Sequence, residues 1–350
     1  MERGNGHRRG GARDGYGGGI ARARRWIEDR AAHAAARRER SSTVIRSLRH
    51  FALGVPALKA GVDFYEAFGL ETIDRPDHVA MRCHGRDQDQ VVLVETGRDR
   101  KFHHIAFGTD AAGLAAIKGR LEAAGVALVD PPYPGAAEGL WFHDPDHVLV
   151  NVQAAEPEVR PHEAAPDVNR PGHYPRAGIR GCPTPDIATR PRRLGHLILF
   201  TPDVPRQARF YCALLGMRLS DTLQDDYGAF LRTGGDSDHH VLGLLHSNAP
   251  GFHHASFEMG SIDEAALGAL KLQAKGYKHA WGPGRHAIGS NYFHYFRDPW
   301  NGMAEYFHDI DFIPDAFDWT PQEWTKKEGM FLWSADGPPP PDFGRNYEAC

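Results

Sequence analysis

The segment "GFHHASFEMG" (residues 251–260) places His253 and His254 side by side at the start of a predicted β-strand. Side chains of a strand point alternately to opposite faces, so one ring should face a core or a site and the other should face away. The same doublet occurs earlier, in "KFHHIAFGTD". A histidine at a strand start is more often a hydrogen-bonded structural residue, but imidazole is also the commonest metal ligand and acid–base group.

Short apolar runs and single amphipathic segments alternate from Leu48 onward. "RHFALGV" and "HHIAFGT" predict strands, and "LKAGVDFYEAFGL" and "AAGLAAIKGRLEAAGV" predict helices. After Arg192 the series returns, because "GHLILFTPDVPRQARFYCALLGMRLSD" matches "RHFALGVPALKAGVDFYEAFGLETID" in order and character. The chain therefore contains an internal duplication, and each half holds two units of one strand, one helix and further strands.

The duplication lets corresponding positions of the two halves be compared. In the second half the three candidate ligands are His196, His254 and Glu305, and in the first half the matching residues are His50, His104 and Asn151. Two imidazoles and one carboxylate form a facial triad that leaves three open positions on Fe(II). Asn151 is neutral and a weak ligand. We therefore expect one metal site, in the second half, with His254 facing the metal and His253 facing away.

Further titratable residues gather around the candidate ligands in the second half. They are His240, His286 and Tyr295, and the first half has Gln90 in place of His240 and Trp141 in place of Tyr295. Titratable groups that occur only in the half with the complete ligand set are candidates for catalysis.

Several segments together make the sequence similar to a known family. They are "LGHLILFTPDV", "DHHVLGLL", "FHHASFEM", "GPGRH" and "YFRDPWNGMAEYF". The chain resembles the type I extradiol ring-cleaving catechol dioxygenases of the vicinal-oxygen-chelate superfamily over about residues 46–312. The resemblance implies an α+β fold of four βαβββ modules in two tandem domains. It places a metal-free domain at 46–153 and a catalytic domain at 193–312.

The resemblance also implies a role for each candidate residue. His196, His254 and Glu305 match the Fe(II) ligands, with Mn(II) as the alternative metal. His240 matches the acid–base histidine beside the O2 position, and His286 and Tyr295 match the groups that hydrogen-bond to bound catecholate. The implied reaction is extradiol cleavage of a catechol by O2 in the degradation of aromatic compounds, and the implied assembly is a homo-oligomer.

Four further residues are candidates for the substrate pocket. Phe230 and Trp281 would favour an apolar ring substituent, whereas Arg285 and Arg297 could pair with a carboxylate. The aromatic pair leads us to expect neutral substituted catechols.

Other functions of the same superfamily remain open at this point, because fold alone does not decide function. A glyoxalase-like or other non-oxidative metalloenzyme would not need His240 and Tyr295 together. A metal-free small-molecule binding protein would not need three ligands in register.

The remaining segments predict the organisation of the chain. Residues 1–45 are rich in Arg and Gly and predict a disordered tail, with an RNA-binding tail as the alternative. The proline content of residues 154–192 predicts a linker. The aromatic and proline residues of segment 313–350 predict a packed arm or a lid.

The overall composition excludes several other classes of protein. A net charge of −4 argues against a nucleic-acid or membrane partner, and no apolar run approaches a transmembrane span. Four widely spaced cysteines without a CxxC motif predict reduced thiols and a cytoplasmic location.

Overall fold

The computed structural model describes residues 44–157, 167–182 and 187–349. Residues 1–43, most of the predicted tail, lie outside the described residues. Val44 and Ile45, at the end of that predicted tail, are buried. The backbone N–H of Ile45 donates to the Leu215 carbonyl at 3.0 Å, and the N–H of Gly234 donates to the Ile45 carbonyl at 2.9 Å. The folded part of the chain thus begins no later than these two residues.

The first domain is one seven-stranded sheet with two helices. Its elements are β1 (Ser47–Val55), α1 (Leu58–Phe68), β2 (Glu71–Asp74), β3 (Val79–Arg82), β4 (Val91–Glu95), β5 (Lys101–Thr109), α2 (Ala111–Ala123), β6 (Leu140–His143) and β7 (Leu149–Ala154). The strand order is β2-β3-β4-β1-β5-β7-β6. The first strand after α2 is reduced to a single bridge between Leu128 and Phe142.

The second domain repeats this order and adds strands at both edges of its sheet. Its repeated elements are β8 (Arg193–Thr201), α3 (Val204–Leu215), β9 (Arg218–Leu223), β10 (Gly228–Arg232), β12 (Leu242–His246), β13 (Gly251–Glu258), α4 (Ile262–Ala274), β14 (His279–Arg285), β15 (Tyr292–Arg297) and β16 (Met303–His308). The C-terminal arm adds β17 (Phe312–Ile313), β18 (Gln322–Trp324), α5 (Lys326–Met330) and β19 (Trp333–Ser334). A short additional strand, β11 (Ser237–Asp238), lies between β10 and β12 in sequence and pairs with β17 of the C-terminal arm. The ten-stranded sheet runs β18-β9-β10-β12-β8-β13-β16-β15-β14-β19.

The helices begin and end where local side-chain chemistry satisfies the free backbone groups. Asp110, Asp203 and Ser261 cap α2, α3 and α4, and each side chain accepts an N–H from the residue three positions later. Gly69 ends α1 in the left-handed conformation, with φ of 105°. The backbone turns sharply there, and a β-carbon at Gly69 would lie 2.7 Å from the Thr189 carbonyl oxygen.

Helices of one domain pack against the sheet of the other and make one continuous core. Phe68 of α1 stacks on Tyr306 of β16 with ring centroids 4.1 Å apart, and Tyr306 Oη donates to the Phe68 carbonyl at 2.7 Å. In the reciprocal contact, Tyr211 of α3 donates to Asp144 at 2.9 Å and packs on Phe107. Burial of an aromatic side chain stabilises a fold by about 1.5–3 kcal/mol, so these contacts hold the two sheets together.

No helix in the described part of the chain is long and apolar enough to cross a bilayer.

Candidate functional site

Strand pairing brings the three candidate ligands to one face of the second sheet. In the register of β13, Ser256 lies opposite both His196 of β8 and Glu305 of β16. Directly paired residues share a face, and His254 shares the face of Ser256 because it lies two residues away. The ligands therefore come from three adjacent strands.

The ligand atoms of this triad lie within 4.8 Å of one another. Nε2 of His196 is 3.2 Å from Glu305 Oε2, and Nε2 of His254 is 3.3 Å from the same oxygen. All three side chains are buried, and Glu305 has no exposed surface. Among the described residues, this is the one cluster of three histidine, cysteine or acidic side chains close enough to hold a metal ion.

The hydrogen bonds of His253 decide which nitrogen of His254 is free. His253 Nε2 lies 2.9 Å from the Phe343 carbonyl, which can only accept, so this nitrogen donates. In the neutral ring His253 Nδ1 then accepts, and His254 Nδ1, 2.6 Å away, donates to it. His254 Nε2 is left as a lone pair facing Glu305 Oε2. Both atoms are buried and neither has a hydrogen-bond partner, so this pair of ligand atoms fits a divalent metal.

This geometry differs from the strict alternation predicted for the doublet. His253 is buried and lines the same cavity as His254 instead of facing away from it. The pairing of β13 with β8 shifts register between Phe252 and His254, which breaks the period of two at this point.

Opposing effects act on the charge of Glu305. Burial alone would raise the pKa of its carboxyl, but the close contacts with His196 and His254 hold that pKa below its usual range. Burial lowers the pKa of His254, and Glu305 opposes this. Asn291 Nδ2 also donates to Glu305 Oε1, at 3.3 Å. The site thus favours a carboxylate at Glu305 and a neutral ring at His254, the protonation states that metal binding requires.

The three predicted catalytic residues lie around the triad. His286 Nε2 is 2.8 Å from Tyr295 Oη, and His286 Nδ1 donates to the Met330 carbonyl at 2.5 Å. His286 Nε2 therefore accepts from the tyrosine hydroxyl. On another side of the cavity, the rings of His240 and His196 have centroids 4.3 Å apart. Burial, and secondarily Glu305, raise the pKa of Tyr295 well above its usual value, so the hydroxyl stays protonated.

The first domain repeats this strand register and both histidines, but it has Asn151 at the position of Glu305. Ala106 lies opposite both His50 and Asn151, as Ser256 does opposite His196 and Glu305. There His50 Nε2 and His104 Nε2 lie 3.0 Å apart and form a hydrogen bond. No carboxylate faces the two rings from the position of Asn151, and the histidines satisfy each other instead.

A cavity of about 400 Å³ opens above the triad. Its walls include five of the six predicted ligand and catalytic residues and one predicted pocket residue, Phe230. The sixth, Glu305, lies directly behind His196 and His254. The other apolar side chains of the wall are Ile198, Leu223, Leu245, Ile288, Met330 and Phe343. The arm also contributes Pro339, Pro340 and Pro341, together with the exposed Arg345. The sequence predicted the arm but not these contacts, although "GPPPPDF" was a signal for a packed segment.

Trp281, predicted to line the pocket, instead supports it from behind. Its ring has no exposed surface, stacks on Tyr295 with centroids 5.9 Å apart, and donates from Nε1 to the Gly337 carbonyl at 3.1 Å. It therefore positions Tyr295 and does not form the cavity wall.

Both predicted pocket arginines also lie away from the cavity. Arg285 pairs with Asp309 at 2.8 Å and stacks over Tyr292. Arg297 is buried and pairs with Asp342 at 3.0 Å. The error has a simple cause, because adjacency in sequence to His286 does not place Arg285 on the same face of a strand.

The arrangement of strands and ligands matches that of a known superfamily. A model of the glyoxalase/bleomycin resistance protein/dioxygenase superfamily matches residues 47–152 and 193–306 of the chain. The chain belongs to this superfamily. The predicted vicinal-oxygen-chelate fold with two tandem domains is thereby confirmed.

Several relatives share most of their length with the chain. Metapyrocatechase 2 of Cupriavidus necator is 37% identical over 309 residues, which cover 87% of this chain and 93% of the relative. A manganese-dependent 2,3-dihydroxybiphenyl 1,2-dioxygenase of Geobacillus genomosp. 3 is 25% identical over 81% of this chain and 91% of its own. Among solved structures, a Mn(II)-bound glyoxalase from Novosphingobium aromaticivorans aligns with a TM-score of 0.67 and 25% identity, covering 86% of this chain and 94% of its own.

Proposed function

We propose that this protein is an extradiol dioxygenase, which opens the ring of a catechol beside its hydroxyl groups and adds both atoms of O2. The observation that carries the proposal is a complete two-histidine, one-glutamate set whose two histidines line one cavity together with His240, His286 and Tyr295. The identity with metapyrocatechase 2 over nearly the full length of both chains supports the same reaction.

His196, His254 and Glu305 are the residues that would hold the metal. A divalent ion bound by this set would supply open coordination positions at which a catechol and O2 meet, together with the redox chemistry that links them. Buried, pre-oriented ligands lower the entropy cost of bringing three reactants together.

The other polar residues of the cavity would orient the substrate and move protons. His286 and Tyr295 already form a hydrogen bond, so an entering catechol hydroxyl can take the place of one partner and be held in register with the metal. His240, beside His196, would serve as the acid–base group on the opposite side. A positioned acid–base group contributes typically about 10²–10⁴-fold to rate.

We propose Fe(II) as the metal, with Mn(II) as the alternative. The two-histidine, one-carboxylate triad is typical of non-heme Fe(II) oxygenases. Mn(II) accepts the same oxygen and imidazole ligands, and two relatives are named for manganese.

The substrate that best suits the cavity is a neutral catechol with an apolar substituent. The wall is dominated by aliphatic and aromatic side chains, and the buried arginine of this region is already paired with Asp342. Burial of apolar area stabilises a complex by about 25 cal/mol per Å², so a substituent of some tens of Å² gains on the order of 1–2 kcal/mol.

The experiment that tests the function is anaerobic reconstitution with Fe(II) or Mn(II), followed by O2 uptake and visible absorbance on a panel of catechols. We expect 3- or 4-alkylcatechols or 2,3-dihydroxybiphenyl to give a higher kcat/KM than protocatechuate or homoprotocatechuate. A preference for the acids that is lost in Arg345→Ala and retained in Arg285→Ala would reverse the substrate assignment.

The main alternative is a non-oxidative metalloenzyme of the same superfamily. One aligned structure is a glyoxalase, so a glyoxalase assay belongs in the same panel. Glyoxalase activity without O2 uptake on any catechol would replace ring cleavage as the function.

A further inference from the structure

A third histidine doublet, His239–His240, lies at the end of a series of hydrogen bonds that starts outside the cavity. His239 Nδ1 lies 3.1 Å from His240 Nδ1, and His239 Nε2 lies 3.2 Å from Asp221 Oδ2. The exposed fractions of Asp221, His239 and His240 are 3%, 0% and 4%. Buried polar groups of this kind must satisfy one another, because water cannot.

Asp221 sets which atoms donate and which accept in this series of hydrogen bonds. Its Oδ1 accepts the backbone N–H of Gln322 at 2.8 Å, and its Oδ2 accepts Nε1–H of Trp324 at 2.9 Å. Both oxygens are therefore acceptors, and His239 Nε2 must donate to the carboxylate. The two donors come from β18 of the C-terminal arm, which thereby holds Asp221 in place.

A neutral imidazole has one donor and one acceptor nitrogen, so the proton position on His239 determines the proton position on His240. With its proton on Nε2, His239 accepts at Nδ1, so His240 must donate from its own Nδ1. Nε2 of His240 is then left without a proton on a ring that lines the cavity beside His196.

We propose that Asp221 and His239 are positioning residues that fix His240 in the tautomer with a bare Nε2. This inference rests on the proposed role of His240 as the acid–base group. A bare Nε2 can accept a proton from the catechol and return it later, whereas the opposite tautomer could only donate.

Two comparisons within the chain support this reading. The doublet His253–His254 has the same Nδ1–Nδ1 contact, and its outer ring is likewise tied to an acceptor, the Phe343 carbonyl. In the first domain, Gln90 stands in place of His240 and accepts the backbone N–H of Leu194 at 3.1 Å, which is a purely structural role. The doublet His103–His104 of the first domain also has an Nδ1–Nδ1 contact, at 2.8 Å, so the contact alone is not specific to the second domain. What distinguishes His239–His240 is the carboxylate of Asp221 that fixes the outer ring.

The tautomer can be measured without metal or substrate. In metal-free protein labelled with ¹⁵N-histidine, two-bond ¹H–¹⁵N correlations identify the protonated nitrogen of each ring, and His240→Asn assigns the His240 signals. We expect Nδ1 of His240 to carry the proton in the wild type, and a mixture of tautomers in Asp221→Ala and His239→Leu. A proton on Nε2 of His240 in the wild type would overturn the proposal, whatever the enzyme does with catechols.

Kinetics of the metal-loaded enzyme provide the second readout. Asp221→Ala and His239→Leu should lower kcat by about 10–100-fold, as for other partners of site histidines, while KM for the catechol and metal content change little. A larger share of the O2 consumed should appear as hydrogen peroxide. Trp319→Phe is the matched control, because Trp319 packs on His239 and bonds to the Ser220 carbonyl but lies outside the chain of hydrogen bonds. An equal loss of kcat in the control would show that Asp221 and His239 act only through packing.

Discussion

At the scale of residues, the presence of one carboxylate distinguishes the candidate metal site of the second domain from a pair of structural histidines in the first. Both domains place two histidines in the same register, but only the second has Glu305, and only there does a bare nitrogen face a carboxylate oxygen. In the first domain, His50 and His104 bond to each other, which removes both nitrogens from metal binding.

Alanine substitutions should distinguish the candidate ligands of the second domain from the histidines at the matching positions of the first. We expect His196→Ala, His254→Ala and Glu305→Ala each to abolish metal retention and ring cleavage, because a three-ligand site cannot lose a ligand without losing most of its affinity. His50→Ala and His104→Ala are the matched controls and should leave about one metal ion per chain. Metal content measured after anaerobic loading tests this, and a value near two per chain in the wild type would contradict the single-site assignment.

At the scale of elements, the C-terminal arm completes the site. Its residues Pro339–Pro341 and Phe343 form part of the cavity wall, and its end is fixed to the first domain through Glu348. The Glu348 carboxylate pairs with Arg100, whose side chain is 2% exposed, and accepts the backbone N–H of Phe102 at 3.0 Å. The first domain therefore contributes to the catalytic cavity by anchoring the arm.

Loss of this anchor should affect substrate binding more than metal binding. Removing one partner of a buried ion pair costs about 3–5 kcal/mol, so Glu348→Ala should free the end of the arm. We expect a higher KM for substituted catechols, faster proteolysis within residues 336–349, and unchanged metal content. Lys59→Ala, which breaks an exposed ion pair with Asp63, is a suitable control. Equal KM values in the two variants would show that the arm holds its position without Glu348.

At the scale of the whole molecule, buried neutral histidines make stability depend on pH. Burial lowers the pKa of His50 from 6.5 to about 4 and lowers that of His104 well below its usual value. In the unfolded chain these rings take up protons below about pH 6.5, but in the folded state they do so only at lower pH. Their contribution to stability is therefore complete above pH 6.5 and is lost as the pH falls towards 4.

A variant of the first domain can isolate this effect. For His50 alone, the difference in pKa corresponds to on the order of 3 kcal/mol. We expect His50→Gln to be less stable than the wild type near neutral pH but to lose less free energy of unfolding between about pH 7 and pH 5. Urea unfolding at both pH values measures this difference. Parallel losses in the two proteins would assign the acid sensitivity to other groups.

The homo-oligomer implied by the resemblance stays a prediction that sedimentation at the same pH values would test.

Much of the site could be predicted from the sequence because a duplicated chain provides its own comparison. The repeat located the three candidate ligands at matched strand positions, and the substitution of Asn151 for Glu305 predicted which copy holds metal. The alternation of apolar residues determines which side chains of a strand face the core, and this in turn constrains the strand register. The fold class and the family followed from the same segments, and both are confirmed.

Tertiary structure alone decided which side chains surround those ligands. Trp281, Arg285 and Arg297 lie near site residues in sequence, yet packing and ion pairs turn them away from the cavity. Phe343 and Asp221 reach the site histidines from distant segments, and a register shift brings His253 beside His254. The physical reason is that strand alternation is local, whereas contacts of the arm and breaks in register depend on how the whole chain packs.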